Sequence, residues 1–442
     1  MFVKIVLYRS INFNIIASIK GVLINMYMNK KPNRLDYKIF PLLMLFCIVF
    51  LIGCSSDNKI AQEENNPTFK TIRLDDNLIE NKSSDEEQIE NTQIETTQND
   101  NSVQILPEDR STAKIMITGD NLIHDLLYMS ALTPDGVYDF NSYYTEAKTL
   151  FDTADIAIGD FEGTMNPDLP LAGYPIFNCP PEMASALGNA GFDMMSMANN
   201  HIADSNGPGI ISTSQLLRDA NVDVFGINLP NEDFIKIKEV NGIKFAFLGY
   251  CYGFNGMEAT LTEEEQNMLS WIDPDTIESD IQTAKQMADI VLVFPHMGIE
   301  YELEPNEEQI NLYHNIIDWG ADLVIGNHPH VLQPIEMYQN KFILYSLGNF
   351  ISNQRVETGL DIWTERGIIL ELNFQENANQ KIELANYVLH PTWVSRIENG
   401  NYSTEGYALC DYKVLLTENH LDDPYIKEAY DAVISHLEDY VQ

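Results

Sequence analysis

Five short apolar runs in this chain each end just before residues that can bind a metal ion or transfer a proton. The runs occupy residues 115–118, 156–158, 194–197, 290–294 and 323–325. Apolar runs of this length, flanked by helical patterns, are typical of parallel strands that are buried on both faces. Open α/β sheets bind their ligands beyond the carboxyl ends of the strands, so we expect the five ends to meet at one edge.

The rest of the folded part shows the same alternation of strand and helix patterns. Further strands are predicted at residues 222–225, 243–248, 342–345 and 368–372, and helices at 143–151, 181–190, 209–220, 275–288 and 307–319. Beyond residue 372 come strand-like segments and a last helix, predicted at 424–440. This alternation predicts the α/β fold class.

Carboxylates follow the first two strands. Asp120 comes directly after Gly119 at a predicted tight turn, where it can bind a metal ion or cap the following helix. His124 lies four residues later and faces either the same site or solvent. Asp160 and Glu162 are two residues apart, so in extended backbone both project to one face. Two like charges placed so closely require a cation or a shared proton.

Residues 198–204, after the third strand, form the most specific segment. Asn200 offers a neutral amide oxygen to a metal ion, and the adjacent His201 can act as an acid toward a leaving oxygen. Asp204 can reach back toward His201 if a helix begins here. The alternative is an Asn-rich turn that only caps a helix.

Histidines follow the two remaining strands. His296 alone would more often be a buried structural residue, and only the neighbouring motifs favour a ligand. His328 and His330 flank Pro329, which favours extended geometry and would let both imidazoles face one side. Carboxylate, amide and imidazole donors together suit Mn, Fe, Zn or Mg. A rim that contacts substrate is predicted to include His124, Asn199, Glu300 and Asn349.

The beginning of the chain has the layout of a secretory signal. A basic stretch at residues 30–38 precedes an apolar run at 39–52, which is shorter than the roughly 20 residues that span a bilayer. Residues 51–54 resemble the bacterial lipobox, which implies a lipoprotein signal peptide over 28–54 and a lipid on Cys54. An uncleaved membrane anchor is the alternative. Residues 1–27 fit no signal layout, so we expect translation to start at Met26 or Met28.

Composition narrows the class of partner. Residues 55–110 are rich in polar and acidic residues without a sustained period, which predicts a disordered acidic tether. A net charge of −40 argues against nucleic acid, because phosphate binding needs clustered Lys and Arg. Cys179, Cys251 and Cys410 follow no metal-binding spacing and are expected to be buried thiols.

These motifs together make the chain similar to the CapA family of capsule synthesis proteins, within the calcineurin-like metallophosphoesterase superfamily. The resemblance covers about residues 114–396 and rests on the segments 119–120, 160–162, 174–178, 198–204, 296–301, 326–330 and 346–350. It implies a four-layer α/β/β/α metallophosphoesterase-like sandwich over residues 111–396. Residues 397–442 are expected to form an extension packed on this domain.

The resemblance also implies a centre that holds two divalent metal ions. One ion would be bound by Asp120 and His330, the other by Asn200, His296 and His328, with Asp160 and Glu162 between or beside them. His201 would be the general acid, oriented by Asp204. Two positions depart from the family patterns. Leu122 stands where the superfamily has a histidine, and Asp160 stands where CapA proteins usually carry Asn.

Two functions are compatible with this resemblance. The first is a lipid-anchored, extracytoplasmic, metal-dependent hydrolase in poly-γ-glutamate capsule biosynthesis, with an anionic polymer or a phosphoester as substrate. The second is a subunit without catalysis that binds the polymer or the synthase and export complex. In both cases poly-γ-glutamate synthase subunits are the expected partners. Since the chain is acidic, a polyglutamate would be repelled unless divalent ions bridge the two.

Overall fold

The computed structural model describes residues 111–438. The predictions for residues 1–27, 28–54 and 55–110, including the lipid on Cys54, lie outside the described residues. The last two positions of the helix predicted at 424–440 also lie outside them. Within the described range, no helix is both long enough and apolar enough to cross a membrane.

Strands and helices alternate over most of the described chain. The strands are β1 (Thr112–Leu122), β2 (Ile156–Glu162), β3 (Met194–Ser196), β4 (Asp223–Phe225), β5 (Lys236–Val240), β6 (Ile243–Cys251), β7 (Ile290–His296), β8 (Leu323–Ile325), β9 (Leu332–Tyr338), β10 (Lys341–Leu347), β11 (Asn349–Ile351), β12 (Arg366–Glu376), β13 (Ile382–Tyr402) and β14 (Ala408–Leu416). The α-helices are α1 (Asp125–Ala131), α2 (Ala147–Phe151), α3 (Glu182–Ala190), α4 (Asn206–Asp219), α5 (Glu263–Gln266), α6 (Pro274–Ala284), α7 (Glu307–Asp318) and α8 (Pro424–Glu438). Short 3-10 helices occupy Asn141–Tyr144, Met257–Thr260, Val356–Thr358, Ile362–Glu365 and Thr417–His420.

The strands form two sheets. The first has the order β14-β13-β12-β1-β2-β3-β4, with β11 also paired to β1, and the second has the order β5-β6-β7-β8-β10-β9. Strands β1 to β4 run parallel, as do β6, β7, β8 and β10, whereas β12, β13 and β14 pair antiparallel. The apolar runs predicted as buried strands are all found in strands.

Alternate residues of the strands point into different apolar cores, which explains why the runs are apolar throughout. On β1, Ile115 and Ile117 pack between the two sheets, while Met116 faces the helices on the outside of the first sheet. On β7, Leu292 packs between the sheets, while Val293 faces α6 and α7 on the outside of the second. Three cores therefore separate four layers, and the predicted α/β/β/α sandwich is confirmed.

Two expectations about local structure are corrected. The five apolar runs do not lie in one sheet: three are in the first and two in the second, and the polar ends meet because the sheets face each other. The helix predicted at 143–151 is broken into the 3-10 helix Asn141–Tyr144 and α2. Both tyrosines are buried there, with the Tyr143 hydroxyl donating to Leu127 O at 2.8 Å and that of Tyr144 to Asn121 Oδ1 at 3.0 Å. These tertiary contacts outweigh a continuous helical hydrogen-bond ladder.

The C-terminal segment adds to the first sheet. Strand β13 runs through residue 396, and β14 forms the edge of that sheet. Helix α8 places Val433 and Leu437 in the core between the sheets.

Candidate metal centre

The register of the first sheet brings Asp120, Asp160 and Asn349 side by side. Asp120 is opposite Asp160 in the parallel pair β1–β2 and opposite Asn349 of β11. A side chain at Gly119 would overlap the Gly348 carbonyl, so the close approach requires glycine. The tight turn predicted at Gly119 and Asp120 is wrong. Strand β1 continues beyond it, because the Asp120 N–H donates to Gly348 O at 3.0 Å.

The second sheet contributes three histidines to the same place. His296 ends β7, and His328 and His330 follow β8. The extended geometry predicted around Pro329 is wrong, because φ is 99° at His328 and 60° at His330, both in the left-handed region. The rings are nevertheless neighbours: their centroids are 5.0 Å apart for His296 and His328, and 6.0 Å apart for His328 and His330. Such strained backbone is retained at functional sites when the surroundings hold it.

Two groups of buried side chains have the composition of metal sites, and Asp120 belongs to both. Asp120, Glu162 and His330 form one, and Asp120, Asp160 and His296 form the other, with one donor atom of each residue within 4.8 Å of the others. His330 Nδ1 lies 3.0 Å from Asp120 Oδ2 and 3.7 Å from Glu162 Oε2. His296 Nδ1 lies 3.6 Å from Asp160 Oδ2.

Asn200 and His328 lie beside these groups. Asn200 Oδ1 is 2.8 Å from His296 Nε2, so the amide oxygen and the imidazole approach the same point. His328 is in neither group but is buried, and its Nδ1 has no hydrogen-bond partner. The resemblance places Asp160 and Glu162 between or beside the ions, and in the described geometry Asp120 is the residue that both groups share.

Unpartnered polar atoms at the centre provide a test of whether the residues fit a cation. Asp120 Oδ1, Asp160 Oδ2, both carboxylate oxygens of Glu162 and His296 Nδ1 are buried without a hydrogen bond. Burying such atoms is costly unless another ligand compensates. All of them are acceptors or imidazole nitrogens that a divalent cation binds. The residues therefore fit a metal ion.

The electrostatics of the centre agree with that fit. Burial raises the pKa of Asp160 and of Glu162 well above their usual range, and the nearby Asp120 charge adds to it. Burial lowers the pKa of His296, with His328 and His330 adding to it, and lowers the pKa of His328 to about 3. Without a cation, the site thus disfavours charge on both kinds of side chain. A bound cation favours ionised carboxylates and neutral imidazoles.

His201 and Asp204 form a pair next to the centre. The His201 Nδ1–H donates to Asp204 Oδ2 at 2.7 Å, and the Phe177 N–H donates to the same oxygen at 2.6 Å. The contact predicted from a helix start is made differently, because residues 201–205 form turns and α4 begins at Asn206. The His201 ring is also packed against Phe177, at 4.7 Å between ring centroids.

The four residues predicted for the rim have different environments. His124 is partly exposed and its Nδ1 lies 3.2 Å from Leu122 O and 3.3 Å from the Asn353 N–H, while burial lowers its pKa to about 4. Asn199 is buried and donates to Phe161 O at 2.7 Å. Asn349 is buried as well, with Oδ1 3.1 Å from His330 Nδ1. Only Glu300 is exposed.

A family model agrees with this arrangement. The model described as bacterial capsule synthesis protein PGA_cap matches residues 114–354, which is more than half of the chain. The chain belongs to this capsule synthesis family. The resemblance to CapA proteins is therefore confirmed.

Two curated relatives are similar over part of their length. The capsule biosynthesis protein CapA of Bacillus anthracis is 36% identical over 179 residues, which cover 39% of this chain and 43% of that relative. The PGA biosynthesis protein CapA of Bacillus subtilis (strain 168) is 30% identical over 258 residues, covering 57% and 66%. The chain thus spans less than two thirds of the length of these relatives.

A solved structure is loosely similar. The calcineurin-like phosphoesterase YfkN from Bacillus subtilis matches with a TM-score of 0.38 and 14% identity, over 64% of this chain and 90% of that one. A likeness of this size adds nothing to the family assignment.

Several residues of this capsule synthesis family member lie at the centre although sequence patterns did not select them. The Tyr252 ring packs against that of His328, tilted by 47° with centroids 4.6 Å apart, and the Asn255 side chain lies 3.4 Å from His201 Nε2. Both residues follow β6, which was a predicted strand. A search for polar residues after the end of this strand, as made for the five apolar runs, would have found them. Gln354 donates to the Tyr301 hydroxyl at 3.2 Å and accepts from Asn349 at 2.9 Å, which no local pattern indicates.

Proposed function

We propose that this protein acts in poly-γ-glutamate capsule biosynthesis as a metal-dependent hydrolase. A lipid on Cys54 would hold it at the outer face of the membrane. The family and the printed names of its relatives support the capsule role. The observation that carries the hydrolase is the pair of buried ligand groups that share Asp120, with their unpartnered oxygens.

Two divalent ions, chosen from Mn, Fe, Zn or Mg, suit this donor set. Asp120, Glu162 and His330 would hold one, and Asp120, Asp160 and His296 the other, with Asn200 and His328 beside the second. Bound there, they would supply Lewis acidity toward a substrate oxygen.

The chain's own residues supply the proton transfer. The Asp204 carboxylate fixes the orientation of the His201 ring by accepting from Nδ1–H, which leaves Nε2 toward Asn255. In hydrolysis, water adds to phosphorus or to the carbonyl carbon, the bond to the leaving oxygen or nitrogen breaks, and His201 Nε2 protonates that atom.

Metal analysis of the purified full chain, followed by hydrolysis assays, tests the proposal. After reconstitution with Mn²⁺, Fe²⁺ or Zn²⁺, we expect close to two ions per chain and cleavage of a phosphodiester or a γ-glutamyl amide. His201→Ala should retain the metal and lower the rate by about 10²- to 10⁴-fold, the usual contribution of a general acid. His314→Ala, on α7 and bound to Glu336, is the matched control. Absence of bound metal together with absence of hydrolysis would discard the hydrolase.

A second candidate is a polymer-binding or scaffold subunit without catalysis. It is favoured by Leu122, which occupies the position of the superfamily's histidine and is buried opposite Glu162 in the β1–β2 pair. The double change Asp160→Asn with His201→Ala separates the two candidates. Capsule production that survives this change supports the scaffold, and its loss with normal protein abundance supports the hydrolase.

A further inference from the structure

Two partly exposed tyrosines border the metal centre and form its mouth, the side that faces solvent. Tyr252 is 44% exposed and its ring centroid lies 4.6 Å from that of His328. Tyr301 is 36% exposed and its centroid lies 6.0 Å from that of His330. Each ring therefore borders a buried histidine of the centre and solvent at once.

Both tyrosines are held in place by backbone contacts with the centre. The Tyr252 N–H donates to His296 O at 3.1 Å, and the Tyr301 N–H donates to Pro329 O at 2.8 Å. Tyr301 has φ of 68°, a left-handed conformation that is costly for an aromatic residue. Its hydroxyl accepts from Gln354. The strain places the Tyr301 ring beside His330 and indicates a constrained functional position.

The charge at this mouth is negative. Glu300 is exposed, and among residues 111–438 no Lys or Arg forms an ion pair with it. Arg355, the residue after Gln354, is engaged elsewhere, since its guanidinium donates to Glu357, Glu365 and the Val394 carbonyl. Burial and the nearby Glu300 charge raise the pKa of Tyr301, and burial, Cys251 and Glu300 raise that of Tyr252. The Glu300 carboxylate thus acts on both rings.

The combination of two tyrosine rings with the Glu300 carboxylate favours the binding of a cation. The faces of aromatic rings attract ammonium groups, and an exposed carboxylate without a cationic partner adds Coulomb attraction. The interior of a glutamate polymer carries only α-carboxylates, which Glu300 repels. Its amine end also carries a free ammonium group, so only that end matches the charge of the mouth.

We propose that Tyr252, Glu300 and Tyr301 bind the free ammonium group at the amine end of a γ-glutamyl chain, so that the chain is cut from that end. This rests on the proposed hydrolase function. The buried His328 ring lies against the Tyr252 ring, so a chain whose amine end is held at Tyr252 reaches the metal centre.

The covalent geometry of the end residue fits this position. Its α-nitrogen and γ-carbonyl carbon are four bonds apart, which is roughly 5 Å in an extended chain. A γ-carbonyl at this distance from an ammonium group on the Tyr252 ring can approach His328, whose ring centroid lies 4.6 Å from that of Tyr252. Water would add its oxygen to the γ-carbonyl carbon and the C–N bond would break. Glutamate leaves with a new γ-carboxyl group, and the nitrogen receives a proton from His201 to become the next amine end.

Binding measured in the absence of turnover directly tests the amine pocket, the ammonium site formed by Tyr252, Glu300 and Tyr301. A γ-glutamyl pentamer with a free amine and its N-acetylated form are titrated calorimetrically into the metal-free full chain. We expect the free amine to bind roughly tenfold more tightly, as for one ammonium on aromatic rings and a carboxylate. The double change Glu300→Gln with Tyr252→Leu should reduce this preference to less than about threefold. Glu405→Gln with Tyr407→Leu, an exposed pair on the β13–β14 hairpin, should retain it.

The outcomes separate this inference from the function on which it rests. Equal binding of the two pentamers, or a preference unchanged in the mouth variant, overturns the amine pocket. With Mn²⁺ bound, release of free glutamate from the free-amine pentamer alone supports it, whereas internal cleavage or equal cleavage of both pentamers overturns it. A preserved binding preference without hydrolysis of any γ-glutamyl amide supports the pocket and removes the hydrolase.

Discussion

Two buried clusters of histidine and carboxylate, both of which include carboxylates of the first sheet, resolve their charge in opposite ways. In the metal centre, the pKa values of His296 and His328 are lowered and those of Asp160 and Glu162 are raised. In the second cluster, His390 of β13 lies 3.2 Å from Glu418 and 3.7 Å from Glu371 of β12. Lys114, at the start of β1, lies 3.2 Å from the same Glu371.

The pKa values of the second cluster show that it compensates its own charge. Burial alone would lower the pKa of His390, but its contacts with Glu371 and Glu418 raise it to about 9. The contact with His390 lowers the pKa of Glu371 to about 2 against the effect of burial. The same residue types therefore form a structural ion network where a lysine is present. Where only carboxylates and neutral imidazoles meet, they leave a place for a metal ion.

Among the changes that distinguish the metal centre from the His390 cluster, Asp120→Asn is expected to have the largest effect, a loss of metal affinity. Removing the carboxylate shared by both ligand groups should lower divalent metal affinity by about 1000-fold, more than the 10- to 100-fold loss for residues that only orient a ligand. Calorimetric titration of Mn²⁺ or Zn²⁺ measures it. The metal-free variant should be as stable as the wild type or more so, because a repulsive buried charge is removed. Unchanged affinity would show that Asp120 is not a ligand.

Glu371→Gln is expected to lower the stability of the fold and to leave metal affinity unchanged, the reverse of Asp120→Asn. This change leaves His390 with one carboxylate, and breaking a buried pair should lower the free energy of unfolding by about 3 kcal/mol. Urea denaturation measures the loss. Metal affinity should not change, so the variant is also the control for Asp120→Asn. Equal loss of stability and of metal binding would contradict the separation of the two clusters.

Metal binding should stabilise the fold through the first cluster alone. At a free metal concentration about 100 times Kd, a ligand specific to the folded state raises the free energy of unfolding by about 2.7 kcal/mol. Thermal denaturation with and without a chelator measures this. The increase should persist in Glu371→Gln and vanish in Asp120→Asn. An increase in both variants would place the stabilising metal elsewhere.

The smallest effect is a pH dependence that comes from the second cluster. The pKa of His390 is raised above the unfolded value of 6.5 to about 9, so its stabilising contribution is complete below pH 6.5 and is lost as pH rises through 9. Between pH 7 and 9 the free energy of unfolding should fall by about 2 kcal/mol. Urea denaturation across this range checks it in metal-free protein. A His390→Gln variant should lose most of this slope, and a slope as steep as that of the wild type would refute the assignment.

Strand positions and the polar residues after them could be predicted because they depend on local composition. The runs at 290–294 and 323–325 lie in β7 and β8, and the residues beyond them include His296, His328 and His330. Burial on both faces demands uninterrupted apolar side chains, and a polar residue directly after such a run is conspicuous. The fold class and the chemical character of the centre followed from these two signals.

Other features depend on contacts between distant segments. The left-handed backbone at His328 and His330 is held by neighbours, including the hydrogen bond between Tyr301 and Pro329, and contradicts the local preference near proline. The break between Asn141–Tyr144 and α2 depends on buried tyrosine hydroxyls. The position of Gln354 at the centre was equally invisible, because its contact with the Tyr301 hydroxyl joins distant segments of the chain.

By itself, the sequence determined which segments are buried strands and which carboxylates, amides and histidines follow them. Both features depend only on residues that are close together in the chain. Only the tertiary structure decided that these ends come from two facing sheets and that Asp120 is common to both ligand groups. The physical reason is that apolar side chains indicate that a strand is buried but do not specify which strand pairs with it or packs against it. Strand pairing and sheet packing, which depend on the whole chain, select the oxygens and nitrogens that meet.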